Sequence, residues 1–204
     1  WQSVKMVEDE HGNVTSYMAA VADLSLTNRN AMQISPEAYQ DCVTGLSNRR
    51  SLESYFMQAL EQARAETSML RALFLNVDGL SRIGEELGYA VLDHARREIG
   101  LRLRAIERPD LRVADIGGGN FVFLVQTAMS DTEVSDFAHS TSMLLEAPLH
   151  IGQHQARVTA YIGCASYPGD GTDMGTLLKH ADAAMYRAKA AGGNSYCIYS
   201  PEPS

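Results

Sequence analysis

The chain has 204 residues, enough for one full domain and some extra elements. A net charge of −8 argues against the broad basic face of a nucleic-acid binder, and 45% hydrophobic with 21% charged residues suits an ordinary folded core. Cys42, Cys164 and Cys197 are too few and too scattered for a disulfide framework or a paired-cysteine metal site, so a reducing, cytoplasmic setting is expected.

No apolar run approaches a membrane span and no signal peptide is visible. The first residue is Trp1 rather than Met. The chain therefore reads as a fragment, and a membrane anchor outside it stays open.

Residues 1–26 read as a hairpin. Val4–Val7 runs out, Gly12-Asn13 supplies the turn and Val14–Leu24 returns. So short a ribbon is marginal alone, and its strands are expected to belong to a larger sheet. Residues 27–40 read as a polar helical connector broken near Pro36.

From Asp41 strands and helices alternate, the rhythm of an α/β or α+β sandwich. Ser47 is placed to cap a helix from Asn48 to Ala65, with Leu52, Tyr55, Phe56, Ala59 and Leu60 at helical spacing. Leu70–Val77 is an apolar run of strand length. One long helix is predicted over 82–105, carrying Ile83, Leu87, Val91, Ala95, Ile99 and Leu103.

Two short strands, Arg112–Ala114 and Phe121–Val125, flank Gly117-Gly118-Gly119-Asn120. Glycine tolerates the positive φ of a tight hairpin turn. The triple glycine is not a phosphate loop, because it lacks GxxxxGK[ST] and does not open a helix after a strand. Thr132 or Asp131 caps the next helix, to Leu145, and Arg157–Ser166 is a strand. Met174–Ala191 is a helix stopped by Gly192-Gly193, Ser195–Tyr199 closes as a strand, and residues 201–204 read as the start of a linker. His94, His139, His150, His154 and His180 show no metal-ligand spacing.

Several motifs, in order, carry a family resemblance. Asp41–Arg50 (DCVTGLSNRR) is similar to the DxLTGLxNRR motif of the diguanylate cyclases with their GGDEF signature. Asn76-Val77-Asp78 stands where that family has DxD, and Gly88 and Asp93 match its GHxxGD segment. Thr159–Gly163 with Tyr167-Pro168 resembles TxSIG…YP. Ala181–Lys189 with Gly192 and Asn194 resembles ADxALYxAKxxGRN. The glycine turn takes the place of GGDEF itself.

The resemblance covers residues 41–199. It implies an α/β fold (an α+β sandwich) with a central mixed, largely antiparallel sheet flanked by helices, as in nucleotidyl cyclases and polymerase palms. Val21–Ser25 similarly resembles the end of a PAS sensor domain. Residues 1–26 would then be a PAS-like remnant, 27–40 a connector and 41–200 a degenerate GGDEF domain.

Cyclases of this family join two GTP molecules into cyclic di-GMP, each 3′-hydroxyl attacking the partner's α-phosphate. A divalent metal neutralises the triphosphate and activates the attacking oxygen, and magnesium prefers carboxylate ligands. The resemblance puts the metal acids at Asn76 and Gly119, and the next hairpin acid at Asn120. An amide carbonyl is a weak ligand, glycine offers none, and an amide has no useful acid–base pKa. Asp78 shares a strand face with Asn76. One carboxylate makes a poor metal site, so Asp78 is expected to cap the next helix or pair with an arginine.

The guanine-reading asparagine aligns with Gly84, while its aspartate partner is kept as Asp93. The phosphate-facing lysine aligns with Ser81. Of a lysine–arginine pair on the last helix, Lys189 remains and Gly193 replaces the arginine. Asp93, Lys189, Gly117 and Gly118 are the nucleotide-binding remnants. The product-inhibition RxxD falls on Arg108 and Leu111, without its aspartate, and Arg112–Asp115 sits too close to the turn.

Six altered positions thus point to a catalytically inactive GGDEF domain with a regulatory or signal-transmitting role in a bacterial cyclic di-GMP signalling protein. Its expected partners are an upstream PAS domain, a downstream EAL phosphodiesterase domain and a second protomer, but not nucleic acid. A GTP-binding allosteric module using Asp93 and Lys189 is the alternative, and a residual diguanylate cyclase the third reading. No cofactor is expected; Mg2+ enters only with residual nucleotide binding.

Overall fold

A computed structural model describes residues 2–8, 14–21 and 38–201. The chain divides into two units, residues 1–38 and 39–204. In the first, β1 (Gln2–Glu8) pairs antiparallel with β2 (Val14–Val21), as the hairpin pattern predicts. Its turn, residues 22–24, the connector up to 37 and linker residues 202–204 lie outside the described residues.

The second unit is built on a six-stranded sheet. In chain order its elements are β3 (Ser47–Asn48), α1 (Arg49–Glu66), β4 (Leu70–Asp78), α2 (Leu80–Leu87), α3 (Tyr89–Arg104), β5 (Leu111–Gly117) and β6 (Asn120–Val125). Then come α4 (Asp131–Glu146), the small hairpin β7 (Leu149–Ile151) and β8 (His154–Ala156), β9 (Thr159–Tyr167), α5 (Met174–Ala191) and β10 (Ser195–Ile198). The sheet order is β10-β9-β4-β6-β5-β3; its outer pairs are parallel and its inner pairs antiparallel.

Central strand β4 buries apolar residues on both sides, interrupted by Arg71, whose guanidinium is satisfied by the Met129 carbonyl, Ser166 and Asp131. Leu73, Leu75 and Val77 join one core with Ile83, Ala95, Ile99 and Val134 from α2, α3 and α4. Leu70 and Ala72 join the other with Leu52 and Phe56 of α1 and Leu177 and Ala181 of α5. Fully burying a side chain the size of Leu or Phe stabilises by about 1.5–3 kcal/mol, so these two layers hold the sheet between its helices. Phe123 and Phe137 add an edge-to-face contact at 5.1 Å.

Two glycines let backbones touch. A Cβ on Gly163 of β9 would stand 2.0 Å from the Ala181 carbonyl oxygen and 2.1 Å from the Met185 nitrogen of α5. One on Gly100 of α3 would stand 2.8 Å from Thr44. Arg102 reaches from α3 to the far end of α4, which has no basic residue in its last turn. It donates to the carbonyls of Leu144, Ala147 and Pro148 and so satisfies orphan acceptors there.

Several predicted boundaries move. The single helix over 82–105 is two, broken at Gly88, whose φ of 89° no helix contains. Asn48, not Ser47, caps α1, its side chain accepting from the Ser51 N–H at 3.0 Å. Ser130, not Asp131 or Thr132, caps α4 in a reciprocal box with Glu133. The β7–β8 hairpin was not predicted; each arm has three residues, and Gly152 (φ 60°) lies between them.

Candidate functional site

β4 and β6 bring Asn76 and Asn120 directly opposite one another at the end of the sheet. Their amides bond across the strands, Asn76 Nδ2 donating to Asn120 Oδ1 at 2.8 Å. The last turn of α5 lays Lys189 over the same spot. Its ammonium donates to Asp78 Oδ1 at 2.9 Å and Asn76 Oδ1 at 3.3 Å, and lies 5.4 Å from the Tyr161 ring centre. Strand alternation does place Asn76 and Asp78 on one face, as expected. The predicted role of Asp78 needs correction: Gly79 holds the N-cap position of α2 without a side-chain cap, and the partner of Asp78 is a lysine 111 residues away.

The turn is shaped by glycine. Gly117, Gly118 and Gly119 have φ of 92°, 64° and 77°, and the Val77 N–H donates to the Gly119 carbonyl at 2.8 Å. Three left-handed residues in succession fit only glycine at low cost. At Gly119 a Cβ would also lie 3.0 Å from the Val77 carbonyl oxygen and 3.2 Å from Leu80 Cδ1. The turn therefore carries no carboxylate, and its backbone disfavours one at position 119.

These residues do not fit a magnesium ion. Asn76 offers an amide already engaged with Asn120 and Lys189, Gly119 offers no side chain, and Asp78 is paired with an ammonium. Among the described residues no group of three or more His, Cys, Asp or Glu lies close enough to hold a metal.

The other remnants are not gathered with Lys189. The carboxylate of Asp93, on the first turns of α3, has no hydrogen bond or ion pair among the described residues. Beside it the Leu92 side chain fills the space next to Gly84, reaching 3.1 Å from where a Cβ would be. Ser81 lines an open cleft of about 440 Å³ at the end of β4, with Asp78, Arg82 and Arg157. Gly117 faces open space and Gly193 lies past the end of α5.

Arg108 is neutralised by Asp110 at 2.9 Å. Arg112 stacks on Tyr55 at 4.9 Å while Asp115 turns to Arg96, so neither pair forms a clamp.

A second polar cluster, absent from the sequence reading, supports the turn from below. Asp115 is buried; its Oδ1 accepts the Gly117 N–H at 2.8 Å and its Oδ2 accepts from Arg96 at 3.1 Å and Thr44 at 3.2 Å. Arg96 also reaches Asp41 at 3.3 Å. Burial disfavours the charge on Asp41, but the Thr44 N–H, Arg96, the Thr44 hydroxyl and the Val43 N–H outweigh it and hold its carboxyl below the usual range. The one legible signal was the spacing Arg96, Gly100, Arg104, one residue per helical step of four.

This fold and these motifs place the chain in a family. Residues 38–195 match the family described as diguanylate cyclase, GGDEF domain, and the chain belongs to it. It is 34% identical over 185 residues, 91% of its length, to the bifunctional diguanylate cyclase/cyclic di-GMP phosphodiesterase MucR of Pseudomonas aeruginosa, covering 26% of that protein. To the cyclic di-GMP phosphodiesterase PdeR of Escherichia coli it is 27% identical over 81% of this chain and 24% of PdeR. The chain thus spans about a quarter of these curated relatives.

The crystal structure of the GGDEF domain of TpbB (YfiN) from P. aeruginosa superposes with a TM-score of 0.72 at 29% identity, covering 77% of this chain and 98% of that one. The expected mixed, mostly antiparallel sheet flanked by helices is the observed fold. Among the described residues no helix is long and apolar enough to cross a membrane.

Proposed function

We propose that this is a catalytically silent GGDEF domain that regulates or transmits signals within a cyclic di-GMP signalling protein. What carries the reading is the Asn76–Asn120–Lys189–Asp78 cluster. Two positions that need acids hold a mutually bonded amide pair, and the nearest carboxylate is neutralised by an internal ammonium. With no metal ligands of the right kind, the triphosphate has no divalent cation to neutralise its charge and no base to take a proton from the 3′-hydroxyl.

In this reading a PAS-like element precedes the domain, an EAL phosphodiesterase domain is its natural neighbour, and a second copy is its partner in a homodimer. The large unmatched share of the relatives supports a multidomain setting.

A GTP-binding role is the second reading, favoured by the unpaired carboxylate of Asp93. Leu92 against Gly84 weighs the other way, since it occupies the place a guanine-reading asparagine would need.

Turnover of GTP with Mg2+ or Mn2+, followed by calorimetric titration with GTP and cyclic di-GMP, tests both. Silence predicts no cyclic di-GMP and no heat with GTP. Micromolar GTP binding abolished by Asp93→Ala would favour the binding module, and cyclic di-GMP formation would overturn the proposal.

A further inference from the structure

We infer that Asp41, Arg96 and Asp115 form a relay through which the entrance of the domain, residues 39–48, sets the conformation of the glycine turn. The inference rests on the regulatory reading above, and names the route by which a signal reaches the altered site.

The entrance loop lies along one face of α3. Arg96, Gly100 and Arg104 succeed each other at steps of four, so they line up on that face. Gly100 admits Thr44 at backbone distance, with a would-be Cβ 2.8 Å from both the Thr44 carbonyl oxygen and its Cβ. Arg104 donates to the Gly45 carbonyl on one side. On the other, Arg96 Nη2 donates to Asp41 at 3.4 and 3.3 Å. Asp41 in turn holds the loop by accepting the Val43 and Thr44 N–H groups at 3.0 and 2.8 Å.

The same Arg96 nitrogen lies 3.1 Å from Asp115, and the Thr44 hydroxyl stands 3.1 Å from Asp41 and 3.2 Å from Asp115. One guanidinium therefore serves two carboxylates. Asp115 is only 1% exposed, and a buried carboxylate is costly without its cation. If Asp41 shifts with the loop, Arg96 must reseat on Asp115 rather than leave it unpaired. Asp115 cannot turn freely, because its other oxygen holds the Gly117 N–H at 2.8 Å, at the bulge where the β5–β6 register slips.

Beyond that bond lie three glycines in succession. Their backbone has little steric preference of its own, so hydrogen bonds decide the shape of the turn. A small displacement at Asp41 is thereby delivered to the segment carrying Asn120.

Amide hydrogen exchange of the whole chain, read residue by residue, tests the relay with Asp41→Asn. The amide oxygen still accepts from Val43 and Thr44, but the charge that Arg96 grips is gone. Exchange at Gly117 is expected to rise roughly tenfold, about what loss of one charge-assisted hydrogen bond produces. Arg96→Lys, which keeps the charge but not the fork, is expected to do the same. Arg104→Met, which removes only the Gly45 contact and leaves Asp41 holding both the loop and Arg96, is expected to leave Gly117 unchanged.

Unaltered Gly117 exchange in Asp41→Asn overturns the relay, as does an equal rise in Arg104→Met. Neither nucleotide nor turnover enters this readout. Discovery of cyclase activity would remove the silent reading while the exchange result stood by itself.

Discussion

Gly163→Ala places one methyl between β9 and α5, and its effect follows from two distances. The new Cβ would stand 2.0 Å from the Ala181 carbonyl oxygen and 2.1 Å from the Met185 nitrogen, against 3.4 Å or more for ordinary contact. Both obstacles are helix backbone, so no rotamer change relieves them. The helix has to retreat by about 1.4 Å, and a gap of that size removes a quarter to a half or more of the dispersion contacts along it. Leu177, Ala181, Ala184, Met185 and Ala188 are all buried on this helix and all lose packing together.

Overpacking usually costs about 1–3 kcal/mol, and a backbone clash with no relief belongs at or beyond the top of that range. For a domain of this size 3 kcal/mol corresponds to a fall in Tm of about 6–12 °C. Calorimetric melting of the variant beside the parent measures it. A fall under about 2 °C would refute the argument that α5 rests directly on the Gly163 backbone.

Restoring acids at the turn should not restore a cyclase. Gly119→Asp with Asn120→Glu forces a side chain into a left-handed residue beside the Val77 carbonyl, at a cost of about 1–2 kcal/mol in urea unfolding, and a cyclic di-GMP assay should stay blank. Lys189→Met removes a pair whose side chains are 38% and 51% exposed, so solvent screening limits the loss to about 1 kcal/mol or less, shrinking as salt is added to the melt. Asp41 ionises below its usual value of 3.8 when folded, so its contribution is complete above about pH 4 and disappears as pH falls through the folded pKa. The Tm gap between parent and Asp41→Asn should therefore be steady near neutrality and close in acid. Burial pushes the Cys164 thiol up to about 11, opposed by nearby Arg71, so maleimide should label exposed Cys42 in the native protein and Cys164 only after denaturation, as mass spectrometry will show.

What the sequence made legible was whatever local chemistry dictates. The α5 helix and its glycine stop came out residue for residue, and the run Leu70–Val77 marked a strand to within one residue. The break at Gly88 was hidden because apolar residues continue on either side at helical spacing; only the glycine itself marked it. Ser130, Asp131 and Thr132 are three successive capping types, and only the Glu133 three residues on singles out Ser130.

At the site, motif positions showed which acids were replaced, but not what the replacements do. The bond between Asn76 and Asn120 needs the strand register, and Lys189 reaches Asp78 across 111 residues of chain. Leu92 over Gly84 and Arg96 between two carboxylates are likewise products of packing between elements; the Arg96, Gly100, Arg104 spacing marks a helix face but not what that face meets.

The flanks of the six-stranded sheet are short: β3 offers two residues and β10 four. A long, flat, unpaired flank invites another chain to add a strand and begins aggregation. Here an incoming strand finds four partners at most. The six-stranded sheet is thus guarded against sideways stacking through its own edges even when many copies are crowded together.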